Sequence, residues 1–119
     1  RSCDVALGVP YNIAGYSFLL HLFAHLSGMK VGTFGHTLVD AHIYTKKADG
    51  SMEEYDHIPG LLEQTKREIK ALPKLKINSE IKTLEDVMDL LDKDTETIMS
   101  KFKLENYNPE PFIPFRVAV

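Results

Sequence analysis

The sequence predicts an α/β (α+β) fold in which a mixed sheet packs against one long buried helix, with additional helices on the surface. Two observations carry that prediction. Residues 33–45 alternate with a period of two, putting Phe34, His36, Leu38, Asp40, His42 and Tyr44 on one face of a strand. Residues 13–27 set Tyr16, Phe18, Leu19, Leu20, Leu22, Phe23 and Leu26 around most of a helical circumference, the pattern of a helix inside a protein rather than on its surface.

The elements follow in order. Residues 1–7 alternate through Val5 and Leu7 until Gly8-Val9-Pro10 breaks the run, which reads as a short strand ending in a turn. Asn12 suits an N-cap, so the helix is expected to begin at Ile13 and to stop at Gly28. The polar-faced strand 33–45 comes next. Residues 46–60, with Asp49-Gly50 and Pro59-Gly60, read as a connection. An amphipathic helix over 61–72 carries Glu63 and Arg67 one turn apart and is stopped by Pro73. A short strand is expected at 74–78. Thr83-Leu84-Glu85-Asp86 then approximates a capping box ahead of a surface helix. Helix is expected to continue over 95–102, and Pro109, Pro111 and Pro114 make 104–119 an irregular, extended tail.

Composition sets the bounds. The 119 residues, 44% hydrophobic and 26% charged, suffice for one modest core, so the chain is one domain or part of one. Because Arg1 opens directly onto the most pattern-rich stretch, the chain reads as starting in mid-fold. With 14 Lys+Arg against 17 Asp+Glu and no basic stripe with interleaved aromatics, the electrostatic footprint for long nucleic acids is missing. Cys3 is the single cysteine, which excludes an intramolecular disulfide framework and fits a reducing cytoplasm. The longest apolar stretch, 13–26, is interrupted by His21 and His25 and is short for a membrane span. A soluble cytoplasmic protein is expected.

Two constellations carry chemistry. In the opening Arg-Ser-Cys-Asp-Val-Ala-Leu-Gly-Val-Pro-Tyr-Asn, Arg1 offers a fork of donors matched to a phosphate and Ser2 a hydroxyl beside it. Asp4 and Asn12 can bond the edges of a heterocycle. The same residues also read as an ordinary strand with an Asn cap. The second constellation is His36-Thr-Leu-Val-Asp40-Ala-His42-Ile-Tyr44, where same-face neighbours stand roughly 6.7 Å apart. His42 and Tyr44 can therefore meet on one small hydroxyl. A metal reading of His36, Asp40 and His42 asks its outer pair to lie about 20 Å apart on a flat strand. His21 and His25 sit one helical turn apart, but Leu22 stands where a zinc protease needs glutamate; partners on the backbone suit that pair better. His57, between Asp56 and Ile58 in a loop, is expected to be solvated. Cys3 shares a face with Arg1 and so remains open as a nucleophile on geometry alone.

Arg-Ser-x-Asp followed by Leu-Gly-x-Pro-aromatic-Asn-Ile-Ala, and then His-Thr-Leu-x-Asp-Ala-His-Ile-Tyr, resembles the thymidylate synthase family. Leu72-Pro73-Lys74-Leu75, Tyr107-Asn108-Pro109 and Val117-Ala118-Val119 extend the resemblance to the end of the chain, apart from an expected helical insertion at 79–101. The resemblance implies the thymidylate synthase fold and a C-terminal part of one such domain. It implies that Arg1 and Ser2 hold the phosphate of dUMP, that Cys3 lines the nucleotide site through its backbone, and that Asn12 bonds the pyrimidine amide edge. Asp4 would touch the nucleotide through its backbone and the folate pterin through its side chain, with Gly8 giving a close approach. Asp4 and Asn12 are the residues it marks as catalytic. His42, Ile43 and Tyr44 would form the sugar contact, and Ala118 and Val119 would fold over the folate as a lid. Methylenetetrahydrofolate is the implied cosubstrate, no metal is implied, and the implied assembly is a homodimer.

An amide at Asn12 can face both N3–H and O4 of uracil, whereas cytosine reverses the donor pattern, a mismatch costing about 1–3 kcal/mol per unpaired group. In the family a cysteine in a Pro-Cys-His setting attacks the pyrimidine. No Pro-Cys-His occurs in this sequence, and Cys3 falls instead at the variable position of Arg-Ser-x-Asp. The chain alone is therefore expected to be inactive. Ala6 stands where the family usually carries a larger residue, and Val39 replaces a common glycine. Nucleotide hydroxymethylases share the fold and both motifs and form one alternative; a non-catalytic nucleotide-binding fragment is another.

Overall fold

The computed structural model describes residues 3–117. Helix and strand are mixed, in the order β1 (Cys3–Asp4), α1 (Gly8–Ser27), β2 (Ala41–His42), a 3-10 turn (Glu53–Tyr55), α2 (Ile58–Thr65), β3 (Lys74–Ile77), α3 (Leu84–Met88), α4 (Thr95–Ser100) and β4 (Phe102–Glu105). The described residues divide into two compact units: 3–15, 35–70 and 109–117 in the first, 16–34 and 71–108 in the second.

In the first unit, β1 and β2 pair in parallel, Cys3 opposite Ala41 and Asp4 opposite His42. Backbone bonds from Cys3 N to Asp40 O (2.8 Å) and from Val5 N to His42 O (3.0 Å) complete the ladder. The expected strand over 33–45 is thus reduced to β2 among the described residues. A ladder needs a neighbour, and the partner that this chain supplies, β1, is two residues long. The chain turns out of β1 because the Asp4 carboxylate accepts from the backbone N–H of Ala6 (3.0 Å) and Leu7 (3.2 Å).

That turn starts α1 at Gly8, five residues before the expected Ile13. Pro10 is the third helical residue, where its missing N–H would have had no intrahelical acceptor anyway. Asn12 accordingly lies inside the helix and caps nothing. The end is as expected: Gly28 takes φ +68°, and bonds from Gly28 N to His25 O and from Met29 N to Ala24 O make the paired Schellman closure.

The second unit holds the apolar core. Phe18, Leu22 and Leu26, at four-residue spacing on α1, pack with Ile77, Ile81, Val87, Leu90, Ile98 and Phe102. Phe18 and Phe102 meet edge to face at 5.1 Å. β3 and β4 pair antiparallel, Lys74 with Glu105 through Ile77 with Phe102, so the tail expected to be irregular from 104 begins inside a strand. Thr83 accepts from Asp86 N while Asp86 accepts from the Thr83 backbone, a complete capping box on α3. Asp94 caps α4 through Thr97 N. His25 donates Nε2–H to the Ile81 carbonyl at 2.7 Å, the backbone partner expected of it.

One expectation about α1 needs correction. Its core stripe is covered, but Tyr16, Leu19 and Phe23 on another stripe remain exposed, Phe23 at 60%. The helix expected to be buried is one-sided here, because the described residues supply cover to one stripe only. α2 also differs: it spans Ile58–Thr65 with Pro59 in its first turn rather than 61–72, and Glu63 pairs with Lys66 instead of Arg67. No helix among the described residues is long and apolar enough to cross a membrane.

Candidate functional site

The parallel bridge of the first unit joins the two motifs that the sequence keeps almost forty residues apart. Asp4 at the end of β1 stands beside His42 in β2. At the end of β2 the His42 ring meets that of Tyr44 edge to face with centroids 5.2 Å apart, so these two side chains do share one side of the extended segment. Ile43, between them, is exposed. Cys3 is half-buried in β1. Gly8 opens α1 close to Asp4: a Cβ there would meet the Asp4 Cβ at 3.6 Å, an ordinary contact. Asn12 follows Gly8 by one helical turn with its side chain exposed. Arg1, Ser2, Ala118 and Val119 lie outside the described residues.

His57 corrects the sequence reading most sharply. Expected in solvent, it is 1% exposed. Its backbone starts α2, with His57 N donating to Tyr44 O and His57 O accepting from Leu61 N, both at 3.0 Å. Its ring lies edge-on to Tyr44 (5.7 Å) and Phe115 (5.1 Å). Nε2 is 2.8 Å from the Arg116 carbonyl, and Nδ1 is 3.9 Å from Asp4 Oδ1. The signal available in the sequence was Pro59, which suits the first turn of a helix and so marks the residues just ahead of it as a helix start rather than a free loop.

Several contacts among the described residues hold segment 109–117 within this unit. Lys70 and Glu110 form an ion pair, and the hydrogen bond from the Lys70 ammonium keeps the Glu110 carboxyl below its ordinary pKa. Phe115 and Ile113 press on Gly60, where an added Cβ would lie 2.6 Å from Phe115 Cε1 and 3.0 Å from Ile113 Cγ2. A further hold is the bond from His57 to Arg116. A carboxylate, two edge-on rings that include a histidine, and a half-exposed strand end make a surface suited to a small polar ligand with hydroxyl and amide groups. Among the described residues no group of three or more His, Cys, Asp or Glu is placed to hold a metal ion, so His36, Asp40 and His42 are not brought together as one.

Comparison with known proteins gives a consistent result. The family model described as thymidylate synthase matches residues 1–119. A thymidylate synthase of Saccharomyces cerevisiae is 39% identical over 119 residues, taking in 100% of this chain and 33% of the relative. One of Homo sapiens is 40% identical over 119 residues, with 100% of this chain and 32% of the relative covered. The solved structure described as thermostable thymidylate synthase A from Bacillus subtilis superposes with a TM-score of 0.75 at 34% identity, covering 100% of this chain and 36% of that one. The chain spans about a third of the length of the curated relatives it matches.

Proposed function

The chain belongs to the thymidylate synthase family, and from that premise we propose that it supplies nucleotide and folate contacts for the reductive methylation of dUMP to dTMP. The observation that supports this most is the bridge between Asp4 and His42, which sets the two motifs of the family side by side in one unit.

The residue roles follow from group chemistry. Arg1 and Ser2 bind the phosphate, the guanidinium presenting paired donors to its oxygens. The backbone around Cys3 and Asp4 lines the nucleotide, and the Asp4 carboxylate bonds the pterin of 5,10-methylenetetrahydrofolate. Gly8 leaves room beside Asp4. Asn12 turns its amide to N3–H and O4 of uracil, selecting dUMP over dCMP. His42 and Tyr44, with Ile43 between them, hold the sugar 3′-hydroxyl. Ala118 and Val119 close over the folate and exclude water from the reacting carbons.

The chemistry itself needs a thiolate that adds to the pyrimidine, and this chain holds no Pro-Cys-His. We place the nucleophile in an N-terminal part of the same domain, so this chain alone is inactive. The exposed Tyr16, Leu19 and Phe23 of α1 support that reading, since apolar side chains of this size on one stripe call for a covering element. Residues 79–101 are a helical insertion into the domain. The whole works as a homodimer in the cytoplasm, with folate as cosubstrate and no metal.

Reductive methylation moves the folate methylene to C5 of the pyrimidine in place of the C5 hydrogen, which leaves as a proton, reduces it to methyl with a hydride from the same folate and releases dihydrofolate. The test is the absorbance change of folate oxidation when dUMP is added to the domain-length protein with methylenetetrahydrofolate. Dihydrofolate formed in step with dUMP consumed is the expected result. Nucleotide consumed without folate oxidation contradicts it in favour of hydroxymethylation, and tight dUMP binding without turnover contradicts it in favour of a binding protein.

A further inference from the structure

The most deeply buried large side chain among the described residues, His57, has no part in the roles proposed above, yet it touches or faces several of the groups that do. Its Nε2 meets the carbonyl oxygen of Arg116 at 2.8 Å. A carbonyl only accepts, so Nε2 carries the hydrogen and donates it. Among the described residues Nδ1 is buried without a hydrogen-bond partner, and it stands 3.9 Å from Asp4 Oδ1. That separation is too long for a direct hydrogen bond. A buried nitrogen left unpaired is unfavourable, and a movement of roughly 1 Å would bring the Asp4 oxygen into bonding range.

A second contact comes from the same helical turn. Gly60, three residues on, lets Phe115 and Ile113 approach to distances that no side chain would permit, and Phe115 also lies against the His57 ring. The first turn of α2 therefore seats the segment that leads, two residues past Arg116, to Ala118.

We propose that His57 is a positioning residue that ties the C-terminal segment to Asp4, so that seating the tail and aligning the Asp4 carboxylate on the folate are one event. Its Nε2 fixes the backbone at Arg116. Its Nδ1 closes onto Asp4 when folate and tail are in place, the imidazole taking one proton from solvent so that both ring nitrogens donate, Nε2 to Arg116 and Nδ1 to the Asp4 carboxylate. The proposal rests on the thymidylate synthase reading for the role of Asp4, and it adds a residue that acts on folate through other groups without touching it.

Two isosteric substitutions in the domain-length protein divide the two halves of this function. His57→Gln keeps an amide where Nε2 stood and retains the bond to Arg116, but has nothing in the Nδ1 position. His57→Asn keeps a polar group facing Asp4 and loses the tail bond. The expected result is a rise of about tenfold or more in the folate KM of both variants, with the dUMP Kd measured without folate staying within about twofold. Amide hydrogen exchange at residues 113–117 should quicken by about tenfold in His57→Asn and stay near wild type in His57→Gln. Unchanged folate KM in both variants, or dUMP affinity falling in step with it, overturns the proposal. If one variant fails to fold by circular dichroism, the other carries the kinetic test. A wild-type protein without turnover sinks the functional reading instead, and the exchange measurement then still decides the tail tether.

Discussion

Leu22, Ile81 and Leu90 fill the centre of the second unit, with Phe18, Ile77 and Phe102 packed around them. In the first unit the largest fully buried side chain is that of a histidine, whose neighbours are a carboxylate, a tyrosine, a phenylalanine and a backbone carbonyl. Aliphatic packing is non-directional and tolerates any side chain of similar volume. A histidine's contacts are directional, and the Nε2 of His57 has one carbonyl geometry to satisfy. One unit is built to be stable and the other to be specific, and substitutions in the two should fail differently.

The largest effect is expected in the core. Ile81 is 3% exposed, and Ile81→Ala should lower the unfolding free energy by about 2–5 kcal/mol, read as a shifted denaturant midpoint, while the dUMP affinity of the folded protein stays put. A parallel loss of affinity would break the comparison. Gly60→Ala forces a methyl into the Phe115 ring and should cost about 1–3 kcal/mol, appearing as a higher folate KM with hydrogen exchange at Ile81 and Leu90 unchanged. Asn12→Ala should weaken dUMP by about 1–3 kcal/mol in calorimetric titration and erase its preference over dCMP, with little change in melting temperature because the side chain is exposed.

The smallest effects lie at the caps of the second unit. Thr83→Ala removes half of a capping box and should cost about 1 kcal/mol without touching kinetics. Asp86 accepts from the backbone N–H of Lys82 and Thr83, both at 2.8 Å, which holds its carboxyl below the ordinary aspartate pKa. A depressed folded-state pKa means stability that is complete above the unfolded value of about 3.9 and lost as pH falls through the folded one. The denaturation midpoint should therefore drop with acid in that window, and Asp86→Asn should flatten that part of the slope.

What could be read from the sequence follows the range of the forces involved. The Thr83 capping box, the Gly28 closure of α1 and the juxtaposition of His42 with Tyr44 depend on residues within a few positions of each other, and all were legible. The resemblance also implied that the opening segment and the second motif belong to one fold, though not that they pair. Three of the features that were not legible show why. The start of α1 at Gly8 depends on the Asp4 side chain turning the chain, which makes Pro10 a first-turn residue and not a breaker. The length of the strand after Thr33 depends on a neighbour, and periodicity says nothing of neighbours. The burial of His57 is made by Asp4, Tyr44, Phe115 and Arg116, which approach it from both sides of the sequence. Its flank offers Pro59 as the mark of a helix start, which says nothing of what buries the residue ahead of it.

The central claim is that the surface around Asp4, His42 and Tyr44 serves methyl transfer to a uracil nucleotide. The most direct measurement is the mass of the nucleotide formed from dUMP and methylenetetrahydrofolate by the domain-length protein. A product heavier than dUMP by one methylene unit, the mass of dTMP, is what the account predicts. A product carrying a hydroxymethyl group, or dUMP recovered unchanged, would contradict it.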